Sequence, residues 1–86
     1  NPLLFKKLFK RFRKNLRKAE KLIIIGYGCK DEGINKIILE NFDFAHKSTY
    51  IFDKYAGDKV CDFGKKLSAN VIDGIEIEDI VPEIFQ

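Results

Sequence analysis

The apolar positions of this 86-residue chain change their period several times along its length. From the start, Phe5, Leu8, Phe9, Phe12, Leu16 and Ala19 recur at the i, i+3, i+4, i+7 spacing of an amphipathic helix. Pro2 suits the first helical position, where its missing N–H costs nothing, and Asn1 can cap it. A helix over 1–20 is the expectation. The pattern then breaks into Leu22, Ile23, Ile24 and Ile25, an uninterrupted run that is mostly β-branched. Such a run predicts a strand buried on both faces, as in a parallel sheet.

Gly26 and Gly28 mark the turn that follows. They serve a tight turn or the close approach of something to the backbone. Asp31 is a candidate N-cap, and Ile34, Ile37 and Ile38 resume helical spacing over about 32–42, with Ala45 extending the line. Thr49, Tyr50, Ile51 and Phe52 make a second strand across Ser48–Asp53. After a loop through Gly57, Asp58 can cap a third helix whose Val60, Phe63, Gly64 and Leu67 share a face. Ala69–Ile72 is a third strand, ended by Gly74. Glu78 and Asp79 suit the first turn of a terminal helix, with Pro82 near its start.

The order α-β-α-β-α-β-α predicts an α/β fold of three layers. A short parallel sheet of about three strands would carry flanking helices on both faces, a partial Rossmann-like unit. One small domain of this length buries only roughly 60–65% of its unfolded surface. The outer edges of so thin a sheet should be covered, by a missing segment ahead of the basic helix or in a homo-oligomer. The Asn-Pro start and the absence of methionine likewise point to a processed chain or to a piece of something longer.

Charge changes this picture at one place. The net charge of +3 is divided sharply, with nine Lys/Arg against one acid in residues 1–21 and seven Lys against twelve Asp/Glu in residues 22–86. Basic character therefore belongs to the first helix. That helix either packs its phenylalanine stripe on the sheet with its lysines in solvent, or docks elsewhere. Docking would be on an anionic membrane, in a calmodulin-type groove, or on nucleic acid. Lys10, Arg13, Lys14 and Arg17 are the candidate contacts to an acidic partner or nucleic acid.

Cysteine and histidine add little. Cys29 and Cys61 are far apart, no CxxC occurs, and one histidine leaves no metal-ligand spacing. Reduced structural cysteines, no bilayer-spanning apolar run and no secretory pattern give a cytoplasmic expectation. Glu76, Glu78 and Asp79 read as a solvated acidic helix start. His46 reads as a solvent or helix-end residue.

The run IIIGYGCKDEGINKIILE resembles the strand-turn-helix of prokaryotic sirtuin-like domains. Their motif reads roughly I-G-[TY]-S-φ-x-D-x-x-I, where φ is apolar. Ile25, Gly26, Tyr27, Asp31 and Ile34 match it, and Asn35 is common in the bacterial branch. STYIFD places Asp53 where these domains carry the strand-end Asn or Asp that reaches the adenosine ribose. ANVIDGIEIEDIVPEIF is similar to their closing pattern A-D-V-φ-x-x-G-D-x-x-E-φ-L-P-x-L, with Pro82 and Ile84 on its Pro and Leu. The resemblance spans about 21–85.

Departures are specific. Gly28 replaces the motif serine and removes a hydroxyl, Cys29 stands where a bulky apolar residue is usual, and Ile75 stands where the glycine is expected, one place after Gly74. The family's glycine-rich first motif, its Gln-Asn-x-Asp segment and its catalytic histidine precede this region and are absent. His46 falls where the family has no catalytic histidine.

The resemblance implies the C-terminal half of a sirtuin-like NAD-binding domain, with Gly26, Tyr27, Gly28, Asp53 and Ile77 at the cofactor. It implies a parent that cleaves NAD, as an NAD hydrolase of the kind found in bacterial anti-phage defence or as a deacylase. The 86 residues hold no catalytic residue and would be inactive alone. Against this stands a reading of another class, a non-enzymatic α/β binding module that docks through its basic helix.

Overall fold

The three β-branched runs pair in sequence order, and the helices between them close over one side. The computed structural model describes residues 2–85. Its elements are α1 (Pro2–Lys18), β1 (Lys21–Ile25), α2 (Glu32–Asn41), β2 (Ser48–Asp53), α3 (Asp58–Leu67) and β3 (Asn70–Asp73). Two 3-10 turns follow, at Ile77–Asp79 and Pro82–Phe85. The strands form a parallel sheet in the order β1-β2-β3. This is the expected α/β class, a short parallel sheet with flanking helices, but the helices lie over one face and not over both as expected. Asn1, the expected cap of α1, lies outside the described residues.

Register decides which side chains meet. Ile24 lies beside Ile51, and Ile51 beside Val71. Because side chains alternate along a strand, these three share one face with Leu22 and Thr49. On that face Ile24 and Ile51 join Ile38 of α2, Phe42 after it, and Val60, Phe63 and Leu67 of α3 in the core. Both crossover helices therefore sit on the same side, as crossovers of one hand advancing in one direction require. α1 adds Leu16 to this core, rests Phe12 on it, and packs against α2.

The opposite face carries Ile23, Ile25, Tyr50, Phe52 and Ile72. Its cover is the segment after Gly74, not an α-helix. Ile75, Ile77 and Ile80 line a recess with Phe52, which is only 1% exposed. That cover reaches only the end of β1, where Ile25 lines the same recess, so Ile23 and Ile25 remain 40% and 43% exposed. The expectation of a strand buried on both faces is thus corrected: β1 is an edge strand, packed on one face.

Other boundaries moved for local reasons. Asp31 does cap α2, its Oδ1 accepting from the Ile34 N–H at 3.0 Å. α2 ends at Asn41, whose side chain donates to the Ile37 carbonyl, so Ala45 falls in the turn beyond. Gly57, not Asp58, is the N-cap of α3; Asp58 occupies the first turn, where its charge still meets the positive helix end. The expected terminal helix is replaced by the two 3-10 turns. Pro82 lacks an N–H and turns Val81 away from helical backbone, so no continuous helix crosses that point.

Two hydrogen bonds add to the packing of α1, at its end and just beyond it. Arg17 Nε donates to Asn41 Oδ1 at 3.0 Å, and Lys47 Nζ donates to the Ala19 carbonyl at 2.8 Å. Arg17 thus uses one of its donors inside the domain while its side chain stays exposed. Among the described residues, no helix is long and apolar enough to cross a membrane.

α3 packs tightly on β3 at Gly64. A Cβ built on Gly64 would stand 2.6 Å from Val71 Cγ2. Gly64→Ala should therefore lower stability by about 1–2 kcal/mol despite alanine's better helix propensity, and Val71→Ala in the same chain should recover part of it. Thr49 presents the opposite case, since its buried Oγ1 has no hydrogen-bond partner among the described residues. Thr49→Val keeps the shape and removes the unpaired hydroxyl, so chemical denaturation should show a gain of about 1 kcal/mol.

Candidate functional site

All three strands point their carboxyl ends the same way, and the loops leaving them gather at one edge. Backbone bonds fix these loops to β2. The Gly26 N–H donates to the Phe52 carbonyl at 2.9 Å, and the Gly74 N–H to the Asp53 carbonyl at 2.9 Å. An open cleft of about 620 Å³ lies over this edge, lined among others by Gly26, Tyr27, Gly28, Lys30, Asp53 and Lys59. Carboxyl ends of parallel strands are where open α/β sheets bind ligands.

The turn after β1 is built from left-handed backbone. Gly26, Gly28 and Cys29 have φ of +63°, +77° and +56°. A Cβ on either glycine would meet nothing within 4 Å, so backbone conformation, not crowding, calls for glycine there. Cys29 tolerates the strained region because its neighbours hold it. Its side chain is buried, and its carbonyl accepts from Asn35 Nδ2 at 2.9 Å.

Tyr27 completes the brace. Its hydroxyl lies 2.9 Å from both the Asp31 carbonyl and Asn35 Oδ1, so one proton is shared between two acceptors. Tyr27, Asp31 and Asn35 thus fasten the turn to the first turn of α2. Tyr27 lines the cleft, but its polar end is turned into the protein and not toward a ligand. Burial and the nearby Asp31 carboxylate raise its pKa above the usual phenol value. Burial, with the charge of Asp53, likewise raises the Cys29 thiol above 9.0. A thiol held protonated is a poor nucleophile.

Asp53 ends β2. Its Oδ1 accepts from the Tyr55 N–H at 3.0 Å, closing a turn, which leaves Oδ2 without a partner among the described residues. The neighbouring Asp73 has its Oδ1 on the Ala56 N–H at 2.9 Å. Across the cleft, α3 starts at Gly57 with no side-chain cap, so the N–H groups of its first turn are not met by a capping side chain.

Gly26, Tyr27, Gly28 and Asp53, four of the residues singled out from the sequence, come together here. Ile77 does not. It lines an adjoining recess of about 280 Å³, reached from the cleft past Gly26 and Asp53, and is 66% exposed. Lys30, Tyr55 and Lys59 also line the cleft and were not anticipated, because nothing in their spacing ties one loop to the next. His46 pairs with Asp43 at 2.9 Å in the turn before β2. That is the amino end of the strand, roughly 17–20 Å of backbone from Asp53. No group of three metal-ligating side chains forms among the described residues.

Compared with protein families, curated proteins and solved structures, the chain finds no match in any of the three.

Two consequences can be measured. Asn35→Ala removes the donor to the Cys29 carbonyl and an acceptor for Tyr27, and should cost roughly 1–3 kcal/mol. Amide exchange at Gly28–Lys30 should quicken more than elsewhere in the chain. The pH effect has a definite sign. Cys29 and Tyr27 hold their protons more tightly folded than unfolded, so their contribution is full below the ordinary thiol value of 9.0 and is lost as pH rises beyond it. Melting temperature should fall above that pH, less steeply in Cys29→Ala.

Proposed function

We propose that this chain forms one wall of an NAD site at the carboxyl ends of its strands. One observation carries the reading: Gly26, Gly28 and Asp53 line a single open cleft beside the start of α3, which no side chain caps. In this reading the glycine backbone lies against a ribose or phosphate, where no side chain intervenes. The first-turn N–H groups of α3 favour an anion. Lys30 and Lys59 add positive charge at the same rim, where they balance Asp53 and Asp58. Asp53 Oδ2 accepts from ribose hydroxyls, while Oδ1 keeps the turn closed.

The reading extends to what the chain lacks. NAD cleavage, by a hydrolase or a deacylase, needs the residues that the sirtuin resemblance places ahead of this segment. His46 is too far from the cleft to substitute for them. Binding without turnover is the activity proposed for these 86 residues.

The test is NAD titration of the folded chain followed by amide chemical shifts, with nicotinamide release measured in parallel. Weak, saturable shifts should appear at Gly26–Lys30 and Asp53–Lys59, with no nicotinamide formed. Asp53→Ala should weaken binding by roughly tenfold, the loss of one or two hydrogen bonds. Shifts confined to other surfaces, or none at saturating NAD, would remove the proposal. Turnover by this chain alone would refute the account of the missing chemistry.

A further inference from the structure

The first two turns of α1 lie outside the packing that holds the rest of the helix. Leu16 is buried and Phe12 rests on the core, yet Leu3, Leu4, Phe5 and Leu8 are each at least half exposed. Clustered apolar side chains left in water mark an interaction surface more often than isolated ones do.

Helix geometry says which way this surface faces. Phe5, Phe9, Phe12 and Leu16, at i, i+4, i+7 and i+11, form the line that runs into the core. Leu4 and Leu8 form a separate line, continued by Arg11 and Asn15, both exposed. Next to it runs a third line of Lys7, Arg11, Lys14 and Lys18. Lys7, Lys10, Arg11, Lys14 and Lys18 border one shallow recess on this flank. The exposed leucines and the cations therefore share the side of α1 that the domain leaves open.

We propose that α1 docks the domain on an anionic phospholipid bilayer surface. Leu4 and Leu8 enter the boundary between headgroups and acyl chains, while Lys7, Arg11, Lys14 and Lys18 meet lipid phosphates. Charge complementarity selects this occupant, since α1 carries eight Lys/Arg and no acid. Nucleic acid would satisfy the cations but offers Leu4 and Leu8 nothing apolar. An acidic protein groove of the helix-enclosing kind would need the Phe12–Leu16 line, which the core already occupies. Residues 22–86, with seven Lys against twelve Asp/Glu, are repelled by the same anionic surface, which keeps the contact to α1.

Flotation of the full chain with vesicles tests this. Phosphatidylcholine vesicles should leave it free, and vesicles with one third phosphatidylglycerol should carry it, less so as salt rises. Changing Lys7, Arg11, Lys14 and Lys18 together to Gln should weaken binding by on the order of a hundredfold or more. Leu4→Ser with Leu8→Ser should weaken it by on the order of tenfold. Neither leucine is among the residues packed on the core, so the melting temperature of that variant should match the parent. The chain has no tryptophan, so Leu8→Trp gives a single reporter whose emission should shift to the blue on anionic vesicles only. No binding to anionic vesicles at low salt would overturn the proposal. So would undiminished vesicle binding by the serine variant, or tighter binding to a DNA duplex or to polyglutamate at equal charge.

Discussion

β2 is the described strand with a neighbour on each edge and cover on each face, and the structure hangs from it. Ile51 points into the helical core and Phe52 into the recess under the final segment, each 1% exposed. Burying two successive large side chains on opposite faces contributes about 1.5–3 kcal/mol apiece. It also forces a consecutive apolar run on the strand, which Thr49–Phe52 supplies apart from the hydroxyls of Thr49 and Tyr50. At its carboxyl end, the Phe52 and Asp53 carbonyls hold the Gly26 and Gly74 amides. The floor of the cleft is therefore an extension of the sheet ladder, not a free loop.

Rigidity above that floor comes from side chains. Asp31 caps α2, Asn35 reaches back to the Cys29 carbonyl, and Tyr27 bridges the two. A turn with three left-handed residues in four positions is held open this way. Backbone pre-set in this manner presents N–H groups without further ordering when something binds. The arrangement also explains why Tyr27 works as a brace, although its place in the sequence reads like a ligand contact.

Most element positions were legible because periodicity is a local property. The strands at Lys21–Ile25 and Ser48–Asp53 and the cap at Asp31 follow directly from residue order. What stayed hidden depends on neighbours distant in sequence. An apolar run such as Leu22–Ile25 reads the same in a central strand and in an edge strand, so the exposure of Ile23 and Ile25 could not be foreseen. Ser68 ends α3 in left-handed backbone, φ +52°, where a glycine would have signalled the stop. At the cleft, Gly26 and Gly28 were foreseeable because a glycine turn after an apolar run marks a strand end, whereas Asp53 was singled out only through the family resemblance. Lys59 was not, because its place depends on how α3 docks. The uncovered start of α1 was equally invisible, since a stripe of phenylalanines says nothing about where its packing stops.

The central claim is that β2 and the cleft floor form one cooperative unit. Native-state hydrogen exchange measures this directly. Amides of Tyr50, Ile51 and Phe52 should exchange slowest, through global unfolding, with Gly26 and Gly74 protected to nearly the same degree. Exchange of Gly26 and Gly74 at the rate of free loops, or slower exchange in β1 than in β2, would contradict the account.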